Sequence, residues 1–527
     1  MATERREWWA AAGGYVAELL SALTQVPEEP VLHYRGRWLT GRDHLRAVTG
    51  MHRALHASGV GHGAVVAVLT ASNSPDILAV RHAAHLLRAA VGHLRTTNPG
   101  SSAAMLGFDD QLEILRTTGA SVLYADEEST DRAAGLARRA GIPLLGRTAP
   151  GARRAVPGDD PGPARPVPWS PGDLAAIAFT SGSTGRPKGI MKSRRSWDSV
   201  VYGTIAQGRE AERITALVGT PLSQTVSQLA DAALIDRGRL VILEEFTPDA
   251  WIDAAREHAA TRTFMATGHL YRVLDRLEEL GLADAAAAGM AGLRRVDYAG
   301  SPAAPTRLAE AVKVFGADSL YQQYGTSETA RICCLSGQDH ADPALLATVG
   351  RPYPGVEIGI CDQETGAPLG EGETGEVRVR SPHVMTGYLD EALTARVLRD
   401  GWYHTGDIGH RDERGYLHLM DRVADMAKIN GVKVYPTVVE RAVLTLPGIA
   451  QAAVYGLLGE DGLEHLRAAI TLRPGASVDI DEVRRHLGNI LSPAHVPEQI
   501  LVLDEVPLNA AGKPDKPRLR LEHASHA

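Results

Sequence analysis

Cysteine is nearly absent from this chain. Only Cys333, Cys334 and Cys361 occur among 527 residues; the count is odd and no spacing fits a zinc site. This fits a reducing compartment better than secretion, and Cys333 and Cys334 read as packed small residues rather than a redox pair. Aromatics are scarce, at 5%, which argues against stacking platforms for single-stranded nucleic acid. The formal charge of −8 gives no footprint for a phosphate backbone. No apolar run reaches the roughly 18 residues of a membrane helix. The amino terminus, MATERREWWA, lacks the long apolar core of a signal peptide. The chain therefore reads as soluble and intracellular, with no nucleic-acid partner and no membrane span.

What is present is ordinary globular composition, 44% hydrophobic, in a length that suggests about three domain-sized units. No internal repeat is visible. A Pro/Gly-rich stretch at 149–173 reads as an irregular exposed connector. Before it, GAVVAVLTA (63–71) reads as a strand and ILAVRHAAHLLRAA (77–90) as a helix. After it, LAAIAFT (174–180), TRTFMATG (261–268) and LRRVDYAG (293–300) read as strands, the last two followed by helices. In the first of these helices Leu270, Val273, Leu274, Leu277 and Leu280 share one face. Strand, loop and helix in alternation imply α/β layers with largely parallel sheets, whose ligands sit at the carboxyl ends of strands. From about residue 340 short β-like runs dominate (VEIGICD, GEVRVRS, GYLHLMD), and beyond them lies a small α+β unit whose boundary falls near Asp421.

One loop invites phosphate. In FTSGSTGRPKG (179–189), Gly182, Gly185 and Gly189 allow close backbone approach, Thr180, Ser181, Ser183 and Thr184 bring hydroxyls, and Lys188 brings charge. It ends in Pro-Lys-Gly, so the magnesium-binding hydroxyl of a Walker loop is missing and a P-loop NTPase is disfavoured. A Gly/Ser surface linker has a similar composition, but needs neither the apolar strand before it nor the Pro-Lys-Gly behind it.

TSGSTGRPKG resembles the signature loop of the adenylate-forming (ANL) superfamily, the AMP-dependent synthetases and ligases that include acyl-CoA synthetases, peptide-synthetase adenylation domains and luciferases. Five further stretches resemble that family in the same order: YAGSPAAP (298–305), YQQYGTSETA (321–330), GYLDEALT…DGWYHTGDIG (387–409), DRVADMAKINGVKVYPTVVE (421–440) and VPLNAAGKPDK (506–516). The likeness is greatest to acyl- and aryl-CoA synthetases and covers nearly the whole chain. It implies a large N-terminal α/β domain of layered sheets and helices with a β-rich subdomain (1–420), then a small mobile α+β lid (421–527) carrying the catalytic lysine.

It also implies roles. A carboxylate attacks the α-phosphate of ATP, pyrophosphate leaves, and a thiol, often of coenzyme A, takes the acyl group. The protein mainly positions groups and neutralises charge. Thr180, Ser181, Gly182, Ser183, Thr184, Gly185 and Lys188 would hold the departing phosphates. Gly300, Ser301, Pro302 and Tyr324 would flank the adenine. Gly325, Thr326 and Ser327 would lie at the α-phosphate, Glu328 would hold Mg2+, and Asp407 and Arg422 would hold the ribose region. Lys513 would bridge the α-phosphate and the acyl oxygen. His404, Asp407, His410 and Asp412 are close in sequence, but no HExxH or similar ligand pattern supports a metal site there.

The chain departs from the family at three places. The hinge position is Ala424, which makes the thioester step less certain than adenylation. In TPLSQTVSQLADAAL (220–234) Gln224 stands for His and Ser227 for Gly. With Thr225 and Ser223 they suggest a polar wall for a small or polar acid, and Gln322 and Gln323 point the same way. Arg194 stands for His, and with Lys192 and Arg195 reads as a solvated basic face; contact with coenzyme A phosphates or an anionic substrate is the alternative. The leading expectation is an ATP- and Mg2+-dependent ligase of a small, aryl or polar acid with coenzyme A, as monomer or homodimer. The alternatives are transfer to a carrier protein or an amine, including nitrite activation for diazotisation of an aryl amine, and a nucleotide-binding regulatory relative without chemistry.

Overall fold

The structure is a computed structural model. It describes residues 9 and 12–524 except 71–72, 95–105, 147–167, 169, 182–186, 208–212, 224–225, 283, 302, 423–424, 431, 460–462, 474 and 508–513. Most of the 149–173 connector therefore lies outside the described residues.

Two large sheets organise the N-terminal part. The first runs, edge to edge, through Arg351–Pro352, Cys333–Leu335, Leu320–Tyr324, Arg295–Ala299, Arg262–Ala266, Thr215–Val218, Arg239–Ile242, Pro30–Tyr34 and Arg37–Thr40. Its central pairings, from Leu320–Tyr324 to Pro30–Tyr34, are parallel. The second runs Gly387–Tyr388, Pro187–Ser193, Leu174–Ser181, Ala90–His93, Val65–Leu69, Val122–Ala125 and Leu144–Gly146. Val65–Leu69, VVAVL, is buried along its whole length. That is what a parallel strand covered by helices on both faces requires.

Helices fill the space between the sheets. Gly14–Gln25, Pro75–Leu86 and Val226–Ile235 join Val31, Leu32, Val66, Val68 and Val91 in one core. Pro248–Glu257, Thr267–Glu279 and Pro305–Phe315 cover the outer face of the first sheet. The outer face of the second is covered by Phe108–Thr117 and Thr130–Ala140. In Thr267–Glu279 the expected stripe of Leu270, Val273, Leu274 and Leu277 is buried. Leu280 departs from it: as the C-cap it is 44% exposed, because the helix has ended.

The expected β-rich region forms a third sheet of Glu357–Cys361, Gly375–Arg380, Trp402–Arg411, Leu398–Arg399 and Leu417–Arg422. The chain then builds a separate core around the strands Ile449–Leu458, Glu464–Leu472 and Gln499–Val502 and the helices Pro436–Val443 and Ile480–Ile490. This unit touches the large part through Arg473 Nη2 to Glu310 Oε1 (2.5 Å) and Thr306 Oγ1 to the Leu444 carbonyl (3.0 Å). Among the described residues no helix is long and apolar enough to cross a membrane.

Candidate active site

The phosphate-inviting loop follows the carboxyl end of Leu174–Ser181, as expected, and the next described element is a strand. Pro187–Ser193 pairs antiparallel with Leu174–Ser181, with Thr180 opposite Lys188. The strands on either side of the loop are thus direct antiparallel partners. Gly182, Ser183, Thr184 and Gly185 lie outside the described residues. At Gly189 a Cβ would run into the Leu389 side chain, which would have to shift to admit one.

The hairpin is tied to Glu328 through one short strand. Gly387–Tyr388 pairs with Met191 and Ile190. From it Tyr388 Oη donates to Glu328 Oε1 (2.7 Å), while Met385 N donates to the Glu328 carbonyl (2.6 Å). Thr326 Oγ1 accepts from Glu328 N (3.2 Å) and pairs with Thr329 Oγ1, so the turn after Tyr324 is internally bonded. Gly325 is required there, because a Cβ would strike the Ala330 carbonyl. Ser327 is exposed on the turn. Burial, and then the Glu328 carboxylate, push the phenols of Tyr388 and Tyr403 up. Both therefore stay neutral beside that carboxylate, and Tyr388 donates to it.

Glu328 in turn lies near the third sheet. Tyr403 and Asp407 share the strand Trp402–Arg411, and Tyr324 Oη donates to Asp407 Oδ2 (2.6 Å). Arg422 Nε donates to Asp407 Oδ1 (3.0 Å) and its Nη2 to the Thr405 carbonyl (3.3 Å). The strand register forces this, since Asp407 and Arg422 are direct cross-strand partners. Asp407 holds the Arg422 guanidinium firmly charged, and burial followed by Asp407 raises the Tyr324 phenol. Each Asp407 oxygen has one protein donor and keeps a lone pair for a ligand hydroxyl. Gly300, at the end of Arg295–Ala299, has φ +104°, a backbone that favours glycine. Ser301 presents its carbonyl to Thr267 Oγ1 (3.0 Å). Pro302 lies outside the described residues.

The structure thus brings Thr180, Lys188, Tyr324, Glu328, Asp407 and Arg422 into one connected set. Glu328 keeps an oxygen beyond the Tyr388 bond, which suits a hard cation such as Mg2+. Lys513 and Ala424 lie outside the described residues. Three residues after Lys513, Lys516 Nζ binds Glu440 Oε1 (2.9 Å) on helix Pro436–Val443. Asp421 Oδ2 caps the same helix at Thr437 N (2.8 Å).

Two expectations need correction, the solvated basic face and the paired glutamines. The basic face is not solvated as a whole. Only Arg195 is exposed. Lys192 is 7% exposed on the strand Pro187–Ser193, between two neighbours in the second sheet, where burial lowers its pKa to about 8 against the opposing pull of Glu328. Arg194 is buried with its guanidinium over the Tyr15 ring (5.3 Å), because helix Arg194–Ala206 packs against Gly14–Gln25. Gln322 and Gln323 do not act together. Gln322 shares the outer face with Tyr298, which packs among the outer helices, and its amide accepts from Tyr298 Oη (3.4 Å). Alternation along the strand sends Gln323 to the inner face. There Nε2 donates to Asp297 Oδ1 (2.7 Å) and Oε1 accepts from Tyr353. Ser227 is buried in the first turn of Val226–Ile235, and Gln224 and Thr225 lie outside the described residues. Cys333 is buried and Cys334 half-buried, both free. His404 contacts Glu376, His418 binds Asp412, and His410 stacks on His418, so these side chains are committed apart from Asp407.

Sequence reading missed Tyr388 and Tyr403, although both stand inside recognised stretches. It also missed Asp297, Arg331 and Tyr353, which only the folding of separate segments brings to Gln323.

A sequence profile described as AMP-binding enzyme matches residues 20–389, and one described as AMP-binding enzyme C-terminal domain matches 438–513. Feruloyl-CoA synthase of an Amycolatopsis species is 30% identical over 92% of this chain and 94% of its own. The medium/long-chain fatty-acid–CoA ligase FadD8 of Mycobacterium tuberculosis is 29% identical over 95% and 89%. The amide bond synthetase McbA from Marinactinospora thermotolerans superposes with a TM-score of 0.85 at 33% identity, over 97% of this chain and 99% of its own. The chain belongs to the AMP-binding enzyme family, the adenylate-forming superfamily, and is an AMP-forming ligase.

Proposed function

We propose that this enzyme adenylates a small, aryl or polar carboxylic acid with ATP and then passes the acyl group to the thiol of coenzyme A. In the first step a carboxylate oxygen bonds to the α-phosphorus and the bond to pyrophosphate breaks. In the second the thiol, losing its proton, attacks the acyl carbon and AMP leaves. The observation that carries this is the contact chain from the Thr180–Lys188 hairpin through Tyr388 to Glu328, with Tyr324 and Asp407 alongside. It supports a site that grips a polyphosphate at one end and a ribose at the other.

Within this reading Thr180, Ser181, Ser183, Thr184 and Lys188 hold the leaving pyrophosphate. Asp407 takes the ribose hydroxyls while Arg422 and Tyr324 keep it oriented. Thr326 and Ser327 lie at the α-phosphate. Mg2+ held by Glu328 would neutralise phosphate charge. Lys513 stabilises the charge that develops between phosphate and acyl oxygen. The boundary falls near Asp421, and the unit beyond it is a lid that brings Lys513 in and withdraws it.

The test is pyrophosphate release against a panel of acids, nitrite included, with and without coenzyme A. Thioester formation supports the proposal; tight ATP binding with no release by any acid sinks it. A second reading, transfer to an amine, is favoured by the likeness to an amide bond synthetase and by Ala424 at the hinge. Amide formation without thioester, in the same assay supplied with an amine, selects it.

A further inference from the structure

Arg331 lies three residues beyond Glu328, on the turn that returns to the first sheet through Ile332 N and the Tyr324 carbonyl (2.7 Å). It is 6% exposed. Its guanidinium stacks over the Tyr353 ring (4.9 Å) and donates from Nη2 to the Val200 carbonyl, while Nε has no hydrogen-bond partner. Tyr353 leads directly to Gln323, the residue expected to line the acid pocket.

The neighbouring carboxylate attracts this cation but forms no direct ion pair with it among the described residues. Asp297 is gripped by the fork of Arg295, Nε to Oδ2 at 2.8 Å and Nη2 to Oδ1 at 3.0 Å, and Gln323 adds a third donor. The inner floor therefore holds two guanidinia and one carboxylate. Lys192, buried on the strand next to the Glu328 clamp, adds another cation for which no ion pair is present among the described residues. A buried cation without an anion is unfavourable unless a ligand supplies one. A planar fork with a free N–H is suited to a carboxylate.

We infer that Arg331 is a specificity residue of the acid pocket and selects a carboxylic acid bearing a second, distal carboxylate. This rests on the adenylation reading above. The reacting carboxylate lies at the phosphate end by Glu328, and the distal one meets Arg331 at the floor beside Gln323.

The test uses the full chain and pyrophosphate release with cinnamate and its 3- and 4-carboxy derivatives. At least one diacid is expected to exceed cinnamate in kcat/KM. In R331M the diacid-to-monoacid ratio falls on the order of 10²-fold, the scale of truncating one partner of a buried hydrogen-bonded charge pair, and R331K restores part of it. Arg331→Gln, compared by thermal melting, serves if R331M does not fold. Equal loss on both acids, or a wild type that turns over cinnamate and rejects both diacids, overturns the inference while leaving adenylation intact. No release with any acid removes the adenylation reading and this inference with it.

Discussion

Tyr324 Oη donates to Asp407 Oδ2 across 2.6 Å, joining the last parallel strand of the first sheet to the central strand of the third. Neither residue reaches the other by sequence proximity. The bond fixes one carboxylate oxygen, and Arg422 fixes the other.

Removing that bond should weaken nucleotide binding selectively. Tyr324→Phe is expected to raise the KM for ATP about tenfold, the effect of roughly 1.4 kcal/mol, with little change in KM for the acid. Asp407→Ala should cost more, because it leaves Arg422 and Tyr324 without their acceptor. Initial-rate pyrophosphate assays with each substrate varied in turn decide it; a rise confined to the acid would refute the ribose assignment.

Glu328→Gln retains an oxygen for Tyr388 but removes the negative charge. The Mg2+ concentration for half-maximal activity should rise about tenfold or more, while the thermal midpoint moves little. Titration of Mg2+ into EDTA-treated enzyme measures it. An unchanged Mg2+ requirement would place the metal elsewhere.

Lys513→Ala should lower adenylate formation on the order of 10²–10³-fold with the fold intact. Near-normal pyrophosphate release by this variant would remove Lys513 from the chemistry.

Lys192 gives a pH dependence. Its folded pKa of about 8 lies below the 10.5 of the model amine, because of burial. Between these values the unfolded chain binds the proton and the folded one does not, so this group's contribution to stability rises with pH across that window. Below pH 8 it costs up to about 3 kcal/mol. Lys192→Met is therefore expected to exceed wild type in denaturant stability at pH 7 and to lose that advantage by pH 10. Parallel curves for the two proteins at all pH values would contradict the assignment.

Arg81 and Asp231 form an ion pair at 2.5 Å between helices Pro75–Leu86 and Val226–Ile235, both side chains wholly buried, with His82 Nε2 at 2.9 Å from the same Asp231 oxygen. Asp231→Ala leaves the guanidinium unpaired and should destabilise the fold by about 3–5 kcal/mol. Replacing both residues with apolar ones should recover most of that loss in chemical denaturation.

The sequence by itself determined the elements and the chemistry class. VVAVL reads as a strand and the Thr267–Glu279 stripe as a helix packed on one side, and the structure has both. Six ordered stretches carry the family resemblance, and with it the expected roles of the loop hydroxyls, Lys188, Lys513, Glu328, Asp407 and Arg422. These signals are local, since periodicity, glycine and charge act within a few residues. Tertiary structure decided what local signals do not carry. It paired Thr180 with Lys188, so that the strands on either side of the Gly/Ser loop are antiparallel neighbours. It buried Lys192 and Arg194, which read as solvated, and split Gln322 from Gln323 across the two faces of one strand. It also brought Asp297, Arg331 and Tyr353 together from separate segments. Burial and cross-strand partnership depend on which elements pack against which. A charged residue announces its chemistry in the sequence, but its counter-ion is chosen by the fold.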